Sequence, residues 1–128
     1  MGQKFFKDRK GTETKLPEIS QIIMGQSPSG KSYNEKFQGS AFLQGNAEFG
    51  DRHPCPKKYT TEPKKIASKG SILLSVRAPV GEMNIADQDY CIGRGLSGIF
   101  IENINLRKYI YHFLKFYKSQ FYKFSTGS

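Results

Sequence analysis

Residues 25–32 have the types and spacing of a phosphate-binding loop. Their sequence, GQSPSGKS, fits the pattern G-x-x-x-x-G-K-[ST], in which backbone amides and a lysine hold the phosphates of a nucleotide. That chemistry requires a helix beginning at the Lys31–Ser32 pair, because its first-turn amides and dipole bind the phosphates. Residues 33–38, YNEKFQ, have poor helical amphipathicity and run into Gly39. A small nucleotide-binding enzyme that uses Gly25–Ser32 is therefore an alternative interpretation of the chain.

Residues 93–98 carry a second glycine pattern. The sequence GRGLSG matches G-x-G-x-x-G, which in dinucleotide-binding proteins follows a strand and opens a helix. Here the residues on both sides are short and strand-like. The pattern therefore predicts a tight turn between two strands.

The side chains that could catalyse a reaction or hold a metal are few and scattered. The chain has two histidines and two cysteines, and Cys55 lies close in sequence to His53 only. Two thiols in a chain of this length do not make a disulfide framework, and a zinc site needs more ligands than this spacing supplies. We expect reduced thiols, no cofactor and no catalytic constellation.

Length and composition indicate one globular domain. At 128 residues with 37% hydrophobic residues, the chain is long enough to bury a single core. No apolar run approaches the roughly 20 residues that cross a bilayer. The basic N-terminus is not followed by the apolar segment of a signal peptide. These features predict a cytoplasmic protein without a membrane partner.

The charge is strongly basic and unevenly distributed. The formal net charge is +9, and residues 52–77 contain seven basic residues against the single acid Glu62. A further five basic residues and no acid follow Glu102. Such a distribution predicts a polyanionic partner. From charge alone, a generally basic protein that binds DNA without reading its sequence is a second alternative.

The elements that must position these residues are short strands and one helix. Residues 1–15 are predicted to form a flexible basic arm, and residues 16–128 a single domain. Residues 16–23 indicate a strand or short helix ending at Gly25. Residues 41–63 are rich in glycine and proline and predict an exposed, loop-rich segment. Residues 71–76, 83–86 and 96–101 predict short strands.

The last segment has helical periodicity. Between residues 105 and 124, aromatic and aliphatic residues recur on one face, so we expect them to pack the helix on the sheet, and Asn103 or Asn105 can cap the first turn. The predicted architecture is α+β: a small mixed or antiparallel sheet, or a barrel-like domain, with a long C-terminal amphipathic helix.

The central part of the chain resembles one known family. The segments GQSPSGKSYN, FLQGNAEFG, KIASKGSILLSVRAPVGEMNIA and CIGRGLSGI, in this order, are similar to the target-recognition domain of type I restriction-modification specificity subunits. The resemblance covers residues 16–128. It implies a non-catalytic module that reads one half of a bipartite site in double-stranded DNA. It also implies as partners an adenine methyltransferase, restriction subunits, and a second recognition domain or a second copy of the chain.

On this interpretation, phosphate and base contacts are divided between two groups of residues. The lysines of the proline-rich basic segment, Lys57, Lys58, Lys64 and Lys65, are predicted to contact the DNA backbone. Donors and acceptors on exposed loops are predicted to reach bases: Gln26, Ser27, Lys31, Tyr33, Gln44, Asn46, Arg52 and His53. Arg77 and Arg94 fall in the segments that most resemble the family, and we expect them to serve the scaffold.

Overall fold

The structure is a computed structural model that describes residues 5–7, 13–15 and 19–125, with side chains at residues 21–120. These residues form eleven strands, two single turns of 3-10 helix and one α-helix. The strands are β1 (Phe5–Lys7), β2 (Glu13–Lys15), β3 (Ile19–Met24), β4 (Tyr33–Asn34), β5 (Ser40–Leu43), β6 (Lys58–Thr60), β7 (Ile66–Ala67), β8 (Ile72–Ser75), β9 (Met83–Ile85), β10 (Tyr90–Ile92) and β11 (Leu96–Ile101). The helix is α1 (Ile104–Ser125), and the 3-10 turns are Gly30–Ser32 and Asn46–Glu48.

Two sheets carry most of the chain. One is an antiparallel sheet with the strand order β3-β11-β8-β9. The other is a mixed sheet with the order β4-β6-β5-β10-β7, in which β10 runs parallel to β5 and every other pair is antiparallel. The sheets formed by the described residues do not close into a barrel. The predicted α+β class with mixed and antiparallel sheets and a C-terminal helix is confirmed.

The antiparallel sheet is covered on both faces, which explains why β8 reads as an unbroken apolar run. Leu73 and Leu96 pack with Leu43 and Ile92 of the mixed sheet. Alternate residues of the same strands point to the other face, where residues such as Ile72 pack against α1. A strand that is buried on both sides carries apolar residues at consecutive positions rather than at alternate ones.

The helix begins as predicted but turns a different face to the sheet. Asn103 caps its first turn, because the Asn103 side-chain oxygen accepts a hydrogen bond of 2.9 Å from the Leu106 amide. Its packed face includes Ile110, Tyr111 and Leu114. The helix has two neighbouring apolar stripes, and periodicity alone does not say which one faces the sheet.

The second stripe of α1 faces outward. Tyr109, Phe113 and Tyr117 are 60%, 52% and 60% exposed, and their rings stack at centroid distances of 6.2 and 6.4 Å. The prediction that these three aromatic residues pack α1 on the sheet is therefore wrong.

Among the described residues, no helix is long and apolar enough to span a membrane.

The sequence does not predict the bounds of two central strands, β5 and β10, although the turn at residues 93–98 implies a strand before it. The segment 41–63 was predicted to be exposed, but Ala41–Leu43 is a buried part of β5. Strand β10 beside it is also buried and has only three residues. Both are too short to show a period, and their pairing joins Phe42 to Cys91, far apart in the chain.

The N-terminal predictions are only partly covered by the described residues. Strands β1 and β2 pair in antiparallel register, with Phe6 opposite Thr14. The other positions of the predicted arm, and Leu16 of the segment that follows it, lie outside the described residues. The predicted boundary between residues 15 and 16 stays a prediction.

Candidate nucleic-acid interface

Loops from both sheets meet at one end of the fold, where β3, β5, β8 and β10 end and β6, β7 and β11 begin. Backbone hydrogen bonds of 2.8 to 2.9 Å hold these loops together. The bonded pairs, donor first, are Gly25 with Leu96, Gln26 with Ile92, Ile92 with Lys65, Val76 with Gly95, and Gly93 with Leu43. We call this region, formed by residues 25–28, 44–46, 57–58, 64–65, 76–77 and 93–95, the strand-end surface.

A polar network centred on Ser27 lies on this surface. The Ser27 hydroxyl oxygen accepts hydrogen bonds from the Gln44 side-chain amide at 2.9 Å and from the Arg94 backbone amide at 3.3 Å. A Cβ at Gly93 would lie 3.0 Å from the same oxygen, so glycine permits this close approach. Ser27 is half-buried and positions its neighbours, whereas Gln44 is exposed.

The Gln44 side chain is available to a base. Its Nε2 uses one of its two N–H groups on Ser27, and the described residues provide no partner for its oxygen. A glutamine amide can pair with the two groups that adenine presents in the major groove. Gln26 is also exposed, and Asn46 is half-buried in the 3-10 turn that follows Gly45.

Four lysines lie at the same end of the mixed sheet as the network. Because β6 runs antiparallel to β5 with Lys58 opposite Phe42, Lys57 and Lys58 lie where β5 ends. Lys64 and Lys65 lie where β7 begins, since the Lys65 carbonyl accepts the Ile92 amide. All four lysines are exposed. In the described part of the chain the one ion pair joins Lys118 to Glu82, so no acid neutralises these four lysines.

Tyr33 supports the lysine side of the surface. Its hydroxyl donates a hydrogen bond of 3.1 Å to the carbonyl oxygen of Pro28, and its ring packs against Phe42 at 4.9 Å. The Lys58 ammonium lies 6.0 Å from the centre of the same ring. Tyr33 is half-buried, and its hydroxyl and ring are engaged by Pro28 and Phe42, so it contributes more to the packing of this surface than to an exposed contact.

Arg77 and Arg94 lie on the strand-end surface and are exposed. The described residues offer neither guanidinium a hydrogen bond, an ion pair or a ring contact. The expectation that these arginines serve the scaffold therefore finds no support in their side-chain contacts.

The phosphate-loop pattern at residues 25–32 does not have the required geometry. Gly30–Ser32 is a single 3-10 turn, and it leads into β4 rather than into a helix. The Ser32 hydroxyl is buried against the Thr60 hydroxyl at 2.6 Å, and the amides of Gly25 and Gln26 are bonded to the sheets. Lys31 is exposed at the far end of β6, since the Ser32 carbonyl accepts the amide of Thr61.

The glycines of both patterns serve close packing. A Cβ at Gly25 would lie 1.9 Å from the Gly93 carbonyl oxygen, and one at Gly95 would lie 2.8 Å from the carbonyl oxygen of Gln44. Residues 93–95 form the predicted turn, which joins β10 directly to β11. Since no helix follows this turn, it lacks the helix N-terminus that binds a dinucleotide.

Arg52 and His53 lie apart from the strand-end surface, beside β9 and α1. The Arg52 carbonyl accepts the amide of Ile85 at 2.7 Å, and His53 Nδ1 lies 2.9 Å from the Ile85 carbonyl oxygen. The Arg52 guanidinium lies 5.9 Å from the centre of the Tyr111 ring, and the Lys115 ammonium lies 5.4 Å from it. In the described part of the chain Arg52 makes no ion pair.

Asn84 fixes the loop that carries these two residues. Its buried side chain accepts a hydrogen bond from the Gly50 amide at 2.9 Å and donates one to the Gly50 carbonyl at 3.0 Å. Pairing of both backbone groups of one residue holds the loop against the edge of β9. No local pattern in the sequence indicates this role, because the contact joins positions 34 apart.

The remaining reactive side chains form no site within the described residues. Cys55 is exposed, Cys91 is buried, and both are free thiols. Among the residues with described side chains, no three of His, Cys, Asp and Glu come close enough to hold a metal. Burial raises the pKa of Tyr90 well above its usual range, and the hydrogen bond that Tyr90 donates to the carboxylate of Asp87 raises it further.

Comparison with known proteins gives one consistent result. Residues 10–128 match the family model described as the type I restriction modification DNA specificity domain. A protein of Methanocaldococcus jannaschii described as a type I restriction enzyme MjaX specificity subunit is 58% identical over 78 residues, which are 61% of this chain and 18% of that protein.

Two solved structures share the fold. The HsdS subunit from Thermoanaerobacter tengcongensis superimposes with a TM-score of 0.76 at 38% identity, over 93% of this chain and 28% of that one. A chain from a structure on complex assembly and conformational transition of the type I R-M system gives the same TM-score and identity, over 94% and 29%. The chain thus spans less than a third of each of these relatives.

Proposed function

The chain belongs to the type I restriction modification DNA specificity domain family, and from this premise we propose that it reads the base sequence of double-stranded DNA with the strand-end surface. One observation carries the proposal. Four exposed lysines without acidic partners and the exposed amides of Gln26 and Gln44 occupy the same end of the fold. A cationic rim around polar groups on rigid loops suits a base-reading surface.

The lysines and the amides have different tasks. Lys57, Lys58, Lys64 and Lys65 bind backbone phosphates, which gives affinity and register without sequence information. Gln44, held at one end by Ser27, pairs with a base edge in the major groove. The hydrogen bond to Ser27 fixes the amide before DNA binds, so less side-chain entropy is lost on binding.

The other residues predicted to contact DNA lie around Gln44 or outside the strand-end surface. Gln26 and Asn46 flank Gln44 on the strand-end surface. Lys31 at the far end of β6, and Arg52 with His53 beside α1, contact the same duplex outside this surface.

The module acts without catalysis or cofactor, as one half of a bipartite recognition unit. The Methanocaldococcus jannaschii relative is described as a specificity subunit and the Thermoanaerobacter tengcongensis structure as an HsdS subunit, and the chain covers 18% to 29% of the length of the relatives it matches. A second recognition domain or a second copy of the chain supplies the other half-site. The methyltransferase and the restriction subunits supply the chemistry.

Selection of duplexes from a random library by the purified chain tests this function. We expect enrichment of one motif of about three to five base pairs, the size that one small module contacts. Retention of DNA with no enriched motif would identify a non-specific basic protein instead.

ATP titration with and without magnesium tests the nucleotide-binding alternative in parallel. We expect no binding to the wild-type chain. Micromolar binding that Lys31→Ala abolishes would favour the nucleotide-binding enzyme.

A further inference from the structure

Two arginines leave the antiparallel sheet side by side. Strands β8 and β11 pair with Ser75 opposite Leu96, and a hydrogen bond of 2.9 Å from the Val76 amide to the Gly95 carbonyl extends this pairing by one step. Arg77 is the next residue along one chain, and Arg94 is the next residue along the other. The two turns that continue these paired strands, joined by the Val76–Gly95 hydrogen bond, therefore each carry one arginine in the strand-end surface.

The two positive charges gain no described partner from the fold. Like charges on neighbouring turns repel each other. Both arginines are exposed, and no described acid pairs with either guanidinium. Glu82, whose backbone pairs with Ser75 two residues before Arg77, has its carboxylate engaged by Lys118 at 2.7 Å.

Both arginines are mounted on hydrogen-bonded turns. Ser75 organises the turn after Arg77: its hydroxyl donates to the Pro79 carbonyl at 2.6 Å and accepts from the Glu82 amide at 2.9 Å. On the other side, the Arg94 amide donates to Ser27 at the centre of the polar network. The backbone under the pair is thus fixed before any ligand arrives.

We propose that Arg77 and Arg94 together bind one phosphate group of the DNA backbone. This inference rests on the proposed DNA-reading function and assigns to it an anion site in addition to the lysine contacts. A planar guanidinium presents parallel N–H groups that match two phosphate oxygens, so two of them can enclose one phosphate. A bound anion removes the repulsion between the arginines, and the contact is the same for every base sequence.

A double-mutant cycle on full-chain DNA binding tests the shared phosphate. Arg77→Gln and Arg94→Gln each weaken binding by the same factor on every duplex. The double variant flattens the slope of log affinity against log salt by about 0.9, the value for one phosphate. Because either single change breaks the shared site, the two effects are not additive. Lys108→Gln, an exposed helix residue, is the matched control and leaves the slope unchanged.

Thermal unfolding without DNA separates binding from scaffolding. Arg77→Glu places opposite charges side by side and raises the melting temperature at low salt while weakening DNA binding. Lys108→Glu is the control. A fall in melting temperature for Arg77→Gln and Arg94→Gln with unchanged DNA affinity would mean that the arginines serve the fold. Additive slope changes of about 0.9 for each arginine would mean two separate phosphates. Either result overturns the shared site.

The wild-type chain separates this inference from the proposed function. If it enriches a motif and the arginine variants bind as it does, only the arginine site is wrong. If it binds DNA without a motif and the variants lose affinity non-additively, the arginine site holds and sequence reading fails. If the wild-type chain binds no duplex, titration with inorganic phosphate tests the arginine site directly. Backbone amide shifts at Val76–Arg77 and Arg94–Gly95 that both substitutions abolish support the site, and their absence overturns it.

Discussion

Replacing Lys64 by glutamine removes one positive charge from the strand-end surface and keeps a side chain of similar length. Four lysines that each neutralise one phosphate contribute about −3.6 to the slope of log affinity against log salt, at about −0.9 for each contact. Over a fourfold rise from 50 to 200 mM salt, the lysines then account for a loss of affinity of about 150-fold. Without Lys64 the slope is flatter by about 0.9, and the lysine part of the loss is about 40-fold.

Fluorescence anisotropy with a labelled duplex at several salt concentrations measures both slopes. Because phosphates are the same at every base pair, Lys64→Gln lowers the affinity of all sequences by one common factor. Lys108→Gln serves as the control, since Lys108 is exposed on α1 and outside the strand-end surface. An unchanged slope for Lys64→Gln, or a loss that differs between duplexes, would refute the assignment of this lysine to the backbone.

Four further substitutions test the fold that supports the surface, each by urea unfolding. Gly25→Ala places a Cβ 1.9 Å from a carbonyl oxygen and lowers the unfolding free energy by about 3 kcal/mol or more, whereas Gly30→Ala meets no atom within 4 Å and changes it by less than about 0.5 kcal/mol. Asn84→Ala removes the three hydrogen bonds of a buried side chain, two to Gly50 and one to the Met83 carbonyl, and costs about 1 to 3 kcal/mol. The raised pKa of Tyr90 favours the neutral phenol in the folded state, so stability is full below about pH 10 and falls above it, and Tyr90→Phe removes part of this fall. Equal stability of the two glycine variants, an unaffected Asn84→Ala or an unchanged alkaline profile would contradict the respective prediction.

The sequence predicted the elements whose signals are local. Strands β8, β9 and β11 are apolar runs bounded by turn residues, and α1 is long enough to show a helical period. The bounds of β5 and β10 were not predictable, because each short strand is defined by its pairing with a distant part of the chain. The face of α1 was assigned wrongly because two apolar stripes adjoin and only the sheet selects between them.

The sequence identified candidate residues for the surface but not which of them lie together in the fold. Basic and amide side chains between residues 26 and 65 were recognised from their types. Which of them lie on the strand-end surface, and which lie beside β9 and α1 with Arg52 and His53, depends on which strands pair and in which direction. The placement of Arg77 and Arg94 on neighbouring turns likewise follows from the pairing of β8 with β11, which no local pattern encodes.

The most direct test of base reading by the strand-end surface is to measure the binding of Gln44→Ala to every single-base variant of the selected motif, beside Arg52→Ala and Lys64→Ala. We predict that Gln44→Ala loses about 1 to 3 kcal/mol of discrimination at one base pair and keeps the wild-type preference elsewhere. Lys64→Ala lowers all affinities equally. If Gln44→Ala keeps every preference while Arg52→Ala loses one, bases are read by the residues beside α1, and the assignment of base reading to the strand-end surface is wrong.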